Sequence, residues 1–166
     1  MLRTLSILSV IALTGCGTSA RYEAELKYAE DAKKAGTPIL IEDIEPSYPN
    51  SAGGVDVEID ITNISDKTIK YISYTVEPYN AVGDVVRGEI SRKSLKRIRE
   101  TGPIASGERT SRGSVWENVW YNHSIRCIKI TRVNITYMDG SSRNFTSSAS
   151  IQKMLRPGVK NSCGVQ

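Results

Sequence analysis

One stretch of eight residues decides the fold class of this chain. It reads Val55, Asp56, Val57, Glu58, Ile59, Asp60, Ile61 and Thr62, so that apolar and polar side chains alternate without interruption. Successive side chains of a β-strand point to opposite faces of a sheet. The alternation therefore predicts a strand whose apolar face lies in a core and whose acidic face lies in water.

Further short apolar segments, separated by turn residues, occur on both sides of this strand. The predicted strands are 38–41, 55–62, 68–78, 114–121, 125–137 and 143–146, with a hairpin turn at Asp139 and Gly140 between the last two. A short helix is the alternative for 114–121. Within 125–137 the apolar positions change phase, which predicts a bulge or bend near Thr131. Residues 151–155 are predicted to form a helical turn. Short strands with turns about every dozen residues indicate an all-β fold, an antiparallel β-sandwich.

The composition fits one domain and excludes several classes of protein. The chain has 166 residues, 39% of them hydrophobic and 24% charged, which excludes a disordered or collagen-like chain. One histidine and three scattered cysteines are too few for a zinc centre of Cys and His ligands. The sequence has no P-loop, no Gly-x-Ser-x-Gly motif and no His-Glu-x-x-His motif. We therefore expect a protein that is not an enzyme and that has no cofactor and no metal site.

The amino terminus has the pattern of an export signal. Arg3 precedes an apolar run from Leu5 to Leu13 that is too short to span a bilayer. The following Leu13, Thr14, Gly15 and Cys16 resemble the lipobox of bacterial lipoproteins. That resemblance implies cleavage after Gly15 and a diacylglycerol on the Cys16 thiol, so that the membrane is a partner through the amino-terminal lipid. The alternatives are an ordinary signal followed by an unrelated cysteine, and a buried apolar helix.

The residue after the cysteine bears on the membrane that is reached. The residue that follows the predicted lipidated cysteine, residue 17, is Gly rather than Asp. In Gram-negative lipoproteins this pattern resembles the signal for sorting to the outer membrane. The resemblance implies a protein that is held at the periplasmic face of that membrane.

A helical stalk is predicted between the lipid and the sandwich. Residues 21–34 contain no Gly, Pro, Val or Ile, and Glu23 with Lys27 and Glu30 with Lys34 have the spacing of helical ion pairs. Its apolar stripe is thin, which favours a stalk, and a coiled-coil partner helix is the alternative. The predicted organisation is a signal peptide at 1–15, a lipidated cysteine with spacer and stalk at 16–36, a sandwich at 37–147, and a carboxy-terminal tail at 148–166.

The turns of the predicted sandwich resemble those of immunoglobulin-like domains in bacterial extracytoplasmic proteins and lipoproteins. The resemblance rests on residues 53–63, 65–72 and 78–84, the Gly102-Pro103-Ile104 turn and the aromatic segment 116–122. It covers about residues 37–147 and implies an immunoglobulin-like β-sandwich without catalytic residues. The basic region 87–100 departs from the pattern.

Two cysteines remain after the lipid anchor. Cys127 lies in a predicted strand and Cys163 near the end of the chain. An exported protein meets an oxidising compartment, so a disulfide between them is expected, and it would hold the tail. The alternative is one buried thiol and one free thiol.

Charge is distributed unevenly along the sequence. Residues 37–66 carry seven carboxylates and no Lys or Arg, whereas a short later segment is basic. The candidate anion-binding residues in that segment are Arg87, Arg92, Lys93, Lys96, Arg97 and Arg99. Three interpretations stay open: solvated charge, an intramolecular contact with the acidic strand, and a site for an anionic envelope partner such as lipopolysaccharide phosphate, acidic glycan or acidic protein. An exported location argues against nucleic acid as a partner.

Two other groups of side chains have a functional and a structural interpretation. Asp56, Glu58 and Asp60 are a candidate calcium site, but alternate residues of one strand lie about 7 Å apart, which favours a solvated face. Trp116, Trp120 and Tyr121 are candidates for stacking on sugars, but large aromatic side chains usually fill a core. We expect a lipid-anchored binding or accessory module of the envelope. A structural subunit that docks a protein partner is the alternative.

Overall fold

The computed structural model describes residues 17–110, 114–161 and 163. The elements are α1 (Gly17–Lys34), β1 (Ile39–Pro46), β2 (Gly54–Asn63), β3 (Ile69–Tyr79), β4 (Lys96–Ile104), β5 (Ser114–Tyr121), β6 (Cys127–Tyr137), β7 (Ser142–Phe145) and α2 (Ser148–Gln152). The predicted signal peptide and Cys16 lie outside the described residues. Among the residues described, no helix is long and apolar enough to cross a membrane.

The strands form two antiparallel sheets that face each other across one core. One sheet has the order β1-β2-β5 and the other the order β4-β3-β6-β7. The predicted alternation in β2 is confirmed, because Val55, Val57, Ile59 and Ile61 are all buried. They pack between the sheets with the inward side chains of β3 and β6, such as Ile72 and Ile135. The predicted all-β, sandwich-like architecture is confirmed.

The predicted bulge in β6 is also confirmed. Val76 of β3 pairs with Ile130, whereas Thr75, one residue earlier, pairs with Arg132. Thr131 is therefore the extra residue, and its hydroxyl donates to the carbonyl oxygen of Thr75 at 3.1 Å. The bulge keeps the apolar side chains inward on both sides of the phase change.

The first strand is longer than the sequence pattern predicts. A register shift between Ile41 and Asp43 resets the alternation, so that Ile44 is again buried and β1 continues to Pro46. The strand predicted at 38–41 covers only its first half. The acidic residues at the shift break the apolar pattern without ending the strand.

Both ends of the described chain pack on the sandwich. The carboxy-terminal helix α2 starts three residues before the predicted helical turn, and Ile151, Met154 and Leu155 are buried in the core. Helix α1 begins at Gly17, before the predicted start, and its last turns contact the sandwich. There Ala32 is buried and the Tyr28 hydroxyl donates to the carbonyl oxygen of Leu155.

The expected disulfide is present, and it links the tail to the sheet. Cys127 at the start of β6 is bonded to Cys163, with the two Cα atoms 5.7 Å apart. Between them the Asn161 side chain bonds the backbone of Ile130 in both directions, at 2.6 and 2.9 Å. The tail therefore covers the part of β6 that β7 does not reach.

A cationic face on the four-stranded sheet

The structure divides the six candidate anion-binding residues into three groups. Arg87, Arg92 and Lys93 are exposed in the loop 80–95, which joins β3 to β4. Arg97 and Arg99 are exposed on the outer side of β4, an edge strand. Lys96 is half-buried on the inner side of β4. The six cations, although close in sequence, therefore do not lie together on one surface.

Strand pairing brings further cations beside Arg97 and Arg99. Thr75 of β3 pairs with Arg97 on one side and with Arg132 of β6 on the other. Neighbouring strands lie about 5 Å apart, so the two arginines leave the sheet about 10 Å from each other. In the next row Ser73 pairs with Arg99, and closer to the end of β3 Glu77 pairs with Lys129. We call Arg97, Arg99, Lys129 and Arg132 the basic face.

Among the described residues, the four cations of the basic face form no ion pair, since no carboxylate oxygen lies within 4 Å of their side chains. The outward carboxylate of Glu77, a residue that pairs with Lys129 across the strands, accepts the Tyr79 hydroxyl at 2.7 Å. Burial, this hydrogen bond and the negative charge of Glu77 raise the pKa of Tyr79 to about 12.

Aromatic rings support two of the cations. The Arg99 guanidinium carbon lies 5.1 Å from the centre of the Tyr71 ring, and the Lys129 amine lies 4.3 Å from the centre of the Tyr79 ring. Cation–π contacts of this kind restrict a long side chain without neutralising its charge. The basic face is therefore partly ordered before any ligand binds.

Two tryptophans fix the backbone of the basic segment to the opposite sheet. From β5, the Trp120 indole N–H donates to the carbonyl oxygen of Ser94 at 2.7 Å, and that of Trp116 donates to Arg99 at 3.0 Å. Trp120 is 1% exposed and Trp116 meets the Tyr74 ring edge-on at 6.0 Å. These contacts support the core interpretation of the tryptophans, and Trp120 is too buried to stack on a sugar.

Two charged residues on the inner side of β4 lie at the edge of the sandwich, between the two sheets. Lys96 and Glu100 pair with Val76 and Ile72, whose side chains point inward. Burial raises the pKa of Glu100 above its ordinary value. Inward charge on an edge strand disfavours pairing with another chain, so β4 presents its outer side chains rather than its edge.

The acidic strand lies on the opposite outer face of the sandwich. Its carboxylates project from β2 in the three-stranded sheet, whereas Arg97 and Arg99 project from the other sheet. The interpretation in which the basic segment crosses the acidic strand is therefore wrong. The Asp56 carboxylate accepts the Asn118 backbone N–H at 2.7 Å, and Asp60 pairs with Arg109 at 3.6 Å. Within the described part of the chain, no three His, Cys, Asp or Glu side chains are placed to hold a metal ion.

Sequence reasoning missed Lys129 and Arg132. They stand some thirty residues after Arg97, in a strand where polar residues alternate with the apolar ones. That alternation shows that their side chains face outward, but only the pairing of β3 with β6 brings them to the basic face.

Comparison with known proteins gives no relative from which a function could be transferred. No family model, no curated protein and no solved structure matches the chain.

Proposed function

We propose that this chain is a non-enzymatic, lipid-anchored protein of the bacterial envelope that binds an anionic ligand through its basic face. The observation that carries the proposal is the grouping of Arg97, Arg99 and Arg132 on one exposed face, with no ion pair to a carboxylate in the part of the chain that the structure describes. Uncompensated cations that are held close together raise the local concentration of anions.

The chemistry of the face fits a ligand with several anionic groups. Each guanidinium presents a planar set of N–H donors that matches the oxygens of phosphate or carboxylate. Arg97 and Arg99 leave one strand about 7 Å apart, and Arg132 stands about 10 Å across the sheet. The Thr75 hydroxyl lies between the two rows of cations. A polyanion or a charged surface can contact all three arginines at once.

The immunoglobulin-like class is part of the same proposal. The order β1-β2-β5 and β4-β3-β6-β7 keeps the first, second and fifth strands in one sheet and the third, sixth and seventh in the other. Immunoglobulin constant-type sandwiches share this arrangement, except that their fourth strand pairs with the fifth. The chain fits a variant in which β4 has moved to the sheet of β3.

The lipid anchor leads to a prediction about the mature amino terminus. Protein purified from membranes after export is expected to begin at Cys16. Its mass is expected to exceed that of residues 16–166 by a diacylglyceryl group, with or without a third acyl chain. Two or three acyl chains hold a protein stably to a bilayer, whereas one does so only marginally. Intact-mass spectrometry checks this, with Cys16→Ser as the control. A mature chain with an unmodified Cys16 would refute the anchor.

The binding proposal predicts a loss of anion affinity after charge reversal. Long-chain polyphosphate is a suitable soluble probe, measured by titration calorimetry with the full chain in an uncharged detergent. Arg97→Glu combined with Arg99→Glu is expected to weaken binding by at least about tenfold, since repulsion replaces attraction at two of the four cations.

A matched control separates the basic face from net charge. Lys34→Glu combined with Lys153→Glu makes the same change in net charge at exposed positions on other parts of the fold. It is expected to retain affinity to within about twofold, because charges beyond a Debye length are screened. Equal losses in both double variants would contradict a site at the basic face. Salt-insensitive capture of one protein would favour the structural-subunit alternative instead.

A further inference from the structure

One end of the sandwich gathers most of the exposed apolar side chains. Eight large hydrophobic residues are exposed among those described: Leu26, Tyr48, Val82, Val85, Ile90, Leu95, Val115 and Met138. Five of them, Tyr48, Val82, Val85, Ile90 and Leu95, lie in the loops 47–53 and 80–95. We call the surface formed by these two loops and residues 122–126 the loop end.

Hydrogen bonds join the three loops into one surface. The Glu89 N–H donates to the carbonyl oxygen of Tyr121 at 2.8 Å, and the Asn122 side chain donates to that of Arg87 at 2.8 Å. The loop 47–53 reaches the same place because Gly54, which follows it, pairs with Tyr121. The Arg126 N–H donates to Tyr79 at the end of β3. The loop end is therefore one connected surface.

Two of the exposed apolar residues stand at the tips of closed turns. Val82 is 61% exposed in a turn where the Asn80 side chain accepts the N–H groups of Val82 and Asp84 at 3.1 and 2.9 Å. Ile90 is 74% exposed in a turn closed by the Gly88 N–H on the carbonyl oxygen of Lys93 at 3.0 Å. Both tips therefore stand in turns that hydrogen bonds close.

The second of these turns is packed directly on the core. Gly88 is buried, and a Cβ atom in its place would lie 2.9 Å from the Ser91 hydroxyl and 3.4 Å from the Trp120 ring. The turn therefore rests on Trp120, and Ile90 projects away from it. An isoleucine in such a position faces water unless something covers it.

Exposed cations accompany these apolar tips. Residues 80–95 carry Arg87, Arg92 and Lys93 against the carboxylates Asp84 and Glu89. Arg92 and Lys93 follow Ile90 closely and are exposed. Tyr48, at 87% exposure, adds an aromatic ring with a polar tip. Aliphatic tips, basic residues and an interfacial tyrosine together characterise surfaces that lie on anionic bilayers.

We propose that the loop end docks on an anionic membrane surface, with Ile90 and Val82 entering the headgroup region and Arg92 and Lys93 contacting lipid phosphates. This rests on the proposed function, because it takes the anionic ligand to be a bilayer and adds the loop-end cations Arg92 and Lys93 to the basic face as contacts with it. A soluble polyanion satisfies the cations but leaves the apolar tips in water. An anionic bilayer satisfies both, since it offers phosphate at its surface and apolar chains a few ångströms below.

The amino-terminal helix is compatible with this orientation. The eighteen residues of α1 rise about 27 Å, and the eight residues of β1 span about 26 Å. Tyr28 contacts Leu155, which bridges to Ile41 early in β1, so the last turns of α1 run beside that strand. The helix is long enough for an anchor at its start to share a bilayer with the loop end. The lipid holds the protein at the bilayer, and docking of the loop end adds a second contact.

The depth of Ile90 in a bilayer tests the proposal directly. The full membrane-purified protein carrying Ile90→Cys is labelled with an environment-sensitive fluorophore and reconstituted into vesicles. Cys127 and Cys163 are paired, and the proposed lipid occupies the Cys16 thiol. In phosphatidylglycerol vesicles we expect a blue shift and at least about twofold quenching by headgroup-level nitroxide lipids, as for an interfacial segment. The same label at Met138→Cys, on the hairpin at the opposite end, is expected to remain aqueous.

Two comparisons separate this proposal from the proposed function. In phosphatidylcholine vesicles, or with Arg92→Glu and Lys93→Glu, the label at residue 90 is expected to return to an aqueous spectrum. A label that remains aqueous in phosphatidylglycerol overturns membrane docking. If that protein still binds polyphosphate through Arg97 and Arg99, the ligand is a soluble anion and the proposed function stands. If it binds neither probe, both proposals are wrong.

Discussion

Replacement of Trp120 by alanine is expected to lower the free energy of unfolding by about 4 kcal/mol, as buried tryptophans generally do when truncated. The side chain is 1% exposed, so its removal leaves a large cavity between the sheets. The carbonyl oxygen of Ser94 also loses the indole donor. Urea titration followed by circular dichroism measures the loss, which is a large part of the stability of a domain of this size.

Two further variants show where the Trp120 effect comes from. Trp120→Phe keeps an aromatic ring in the core but removes the N–H, so it is expected to retain much of the stability. Val115→Ala changes a residue of the same strand that is 52% exposed, and we expect a change within about 0.5 kcal/mol. A Trp120→Ala loss as small as that of Val115→Ala would contradict the core position of the indole.

Removal of the disulfide is expected to have the second large effect on stability. Cys127 and Cys163 are 36 residues apart in sequence, and a cross-link of that span stabilises by about 3 to 4 kcal/mol through the entropy of the unfolded chain. Cys127→Ala combined with Cys163→Ala avoids leaving a free thiol. Urea titrations of the wild type and the double variant, each with and without reductant, measure the difference.

The reductant supplies an internal control for the disulfide prediction. Reduction is expected to destabilise the wild type by about as much as the double substitution and to leave the double variant unchanged. Met154 and Leu155 are buried independently of the cross-link, so the tail is expected to remain docked in both cases. A wild-type midpoint that does not respond to reductant would show that the bond contributes nothing.

The sequence predicts those parts of the fold that depend on local alternation. The acidic face of β2 and the bulge at Thr131 follow from the order of apolar and polar residues alone. The second half of β1 does not, because the shift between Ile41 and Asp43 interrupts the alternation at two acidic residues. The tail is also predicted only in part. Ile151, Met154 and Leu155 have helical spacing, but their burial depends on the free edge of β1, where Leu155 pairs with Ile41.

The candidate site, like the fold, could be predicted only where its residues are neighbours in the sequence. Arg97 and Arg99 are recognised because they are neighbours in a basic run. Arg132 joins them only through the register that aligns Thr75 with both strands. The opposite placement of acidic and basic faces depends on β4 pairing with β3, and no local pattern encodes that choice. The apolar tips of the loop end stand in turns, where hydrophobic residues give no periodic signal.

Salt dependence of anion binding is the most direct test of the basic face. We predict that wild-type affinity for polyphosphate falls by at least about tenfold between about 0.05 M and about 0.5 M sodium chloride, because salt screens exposed charges. We further predict that the fall is much shallower for Arg97→Glu combined with Arg99→Glu. Wild-type affinity that does not change with salt, or equal slopes for both proteins, would contradict an electrostatic site at Arg97, Arg99 and Arg132.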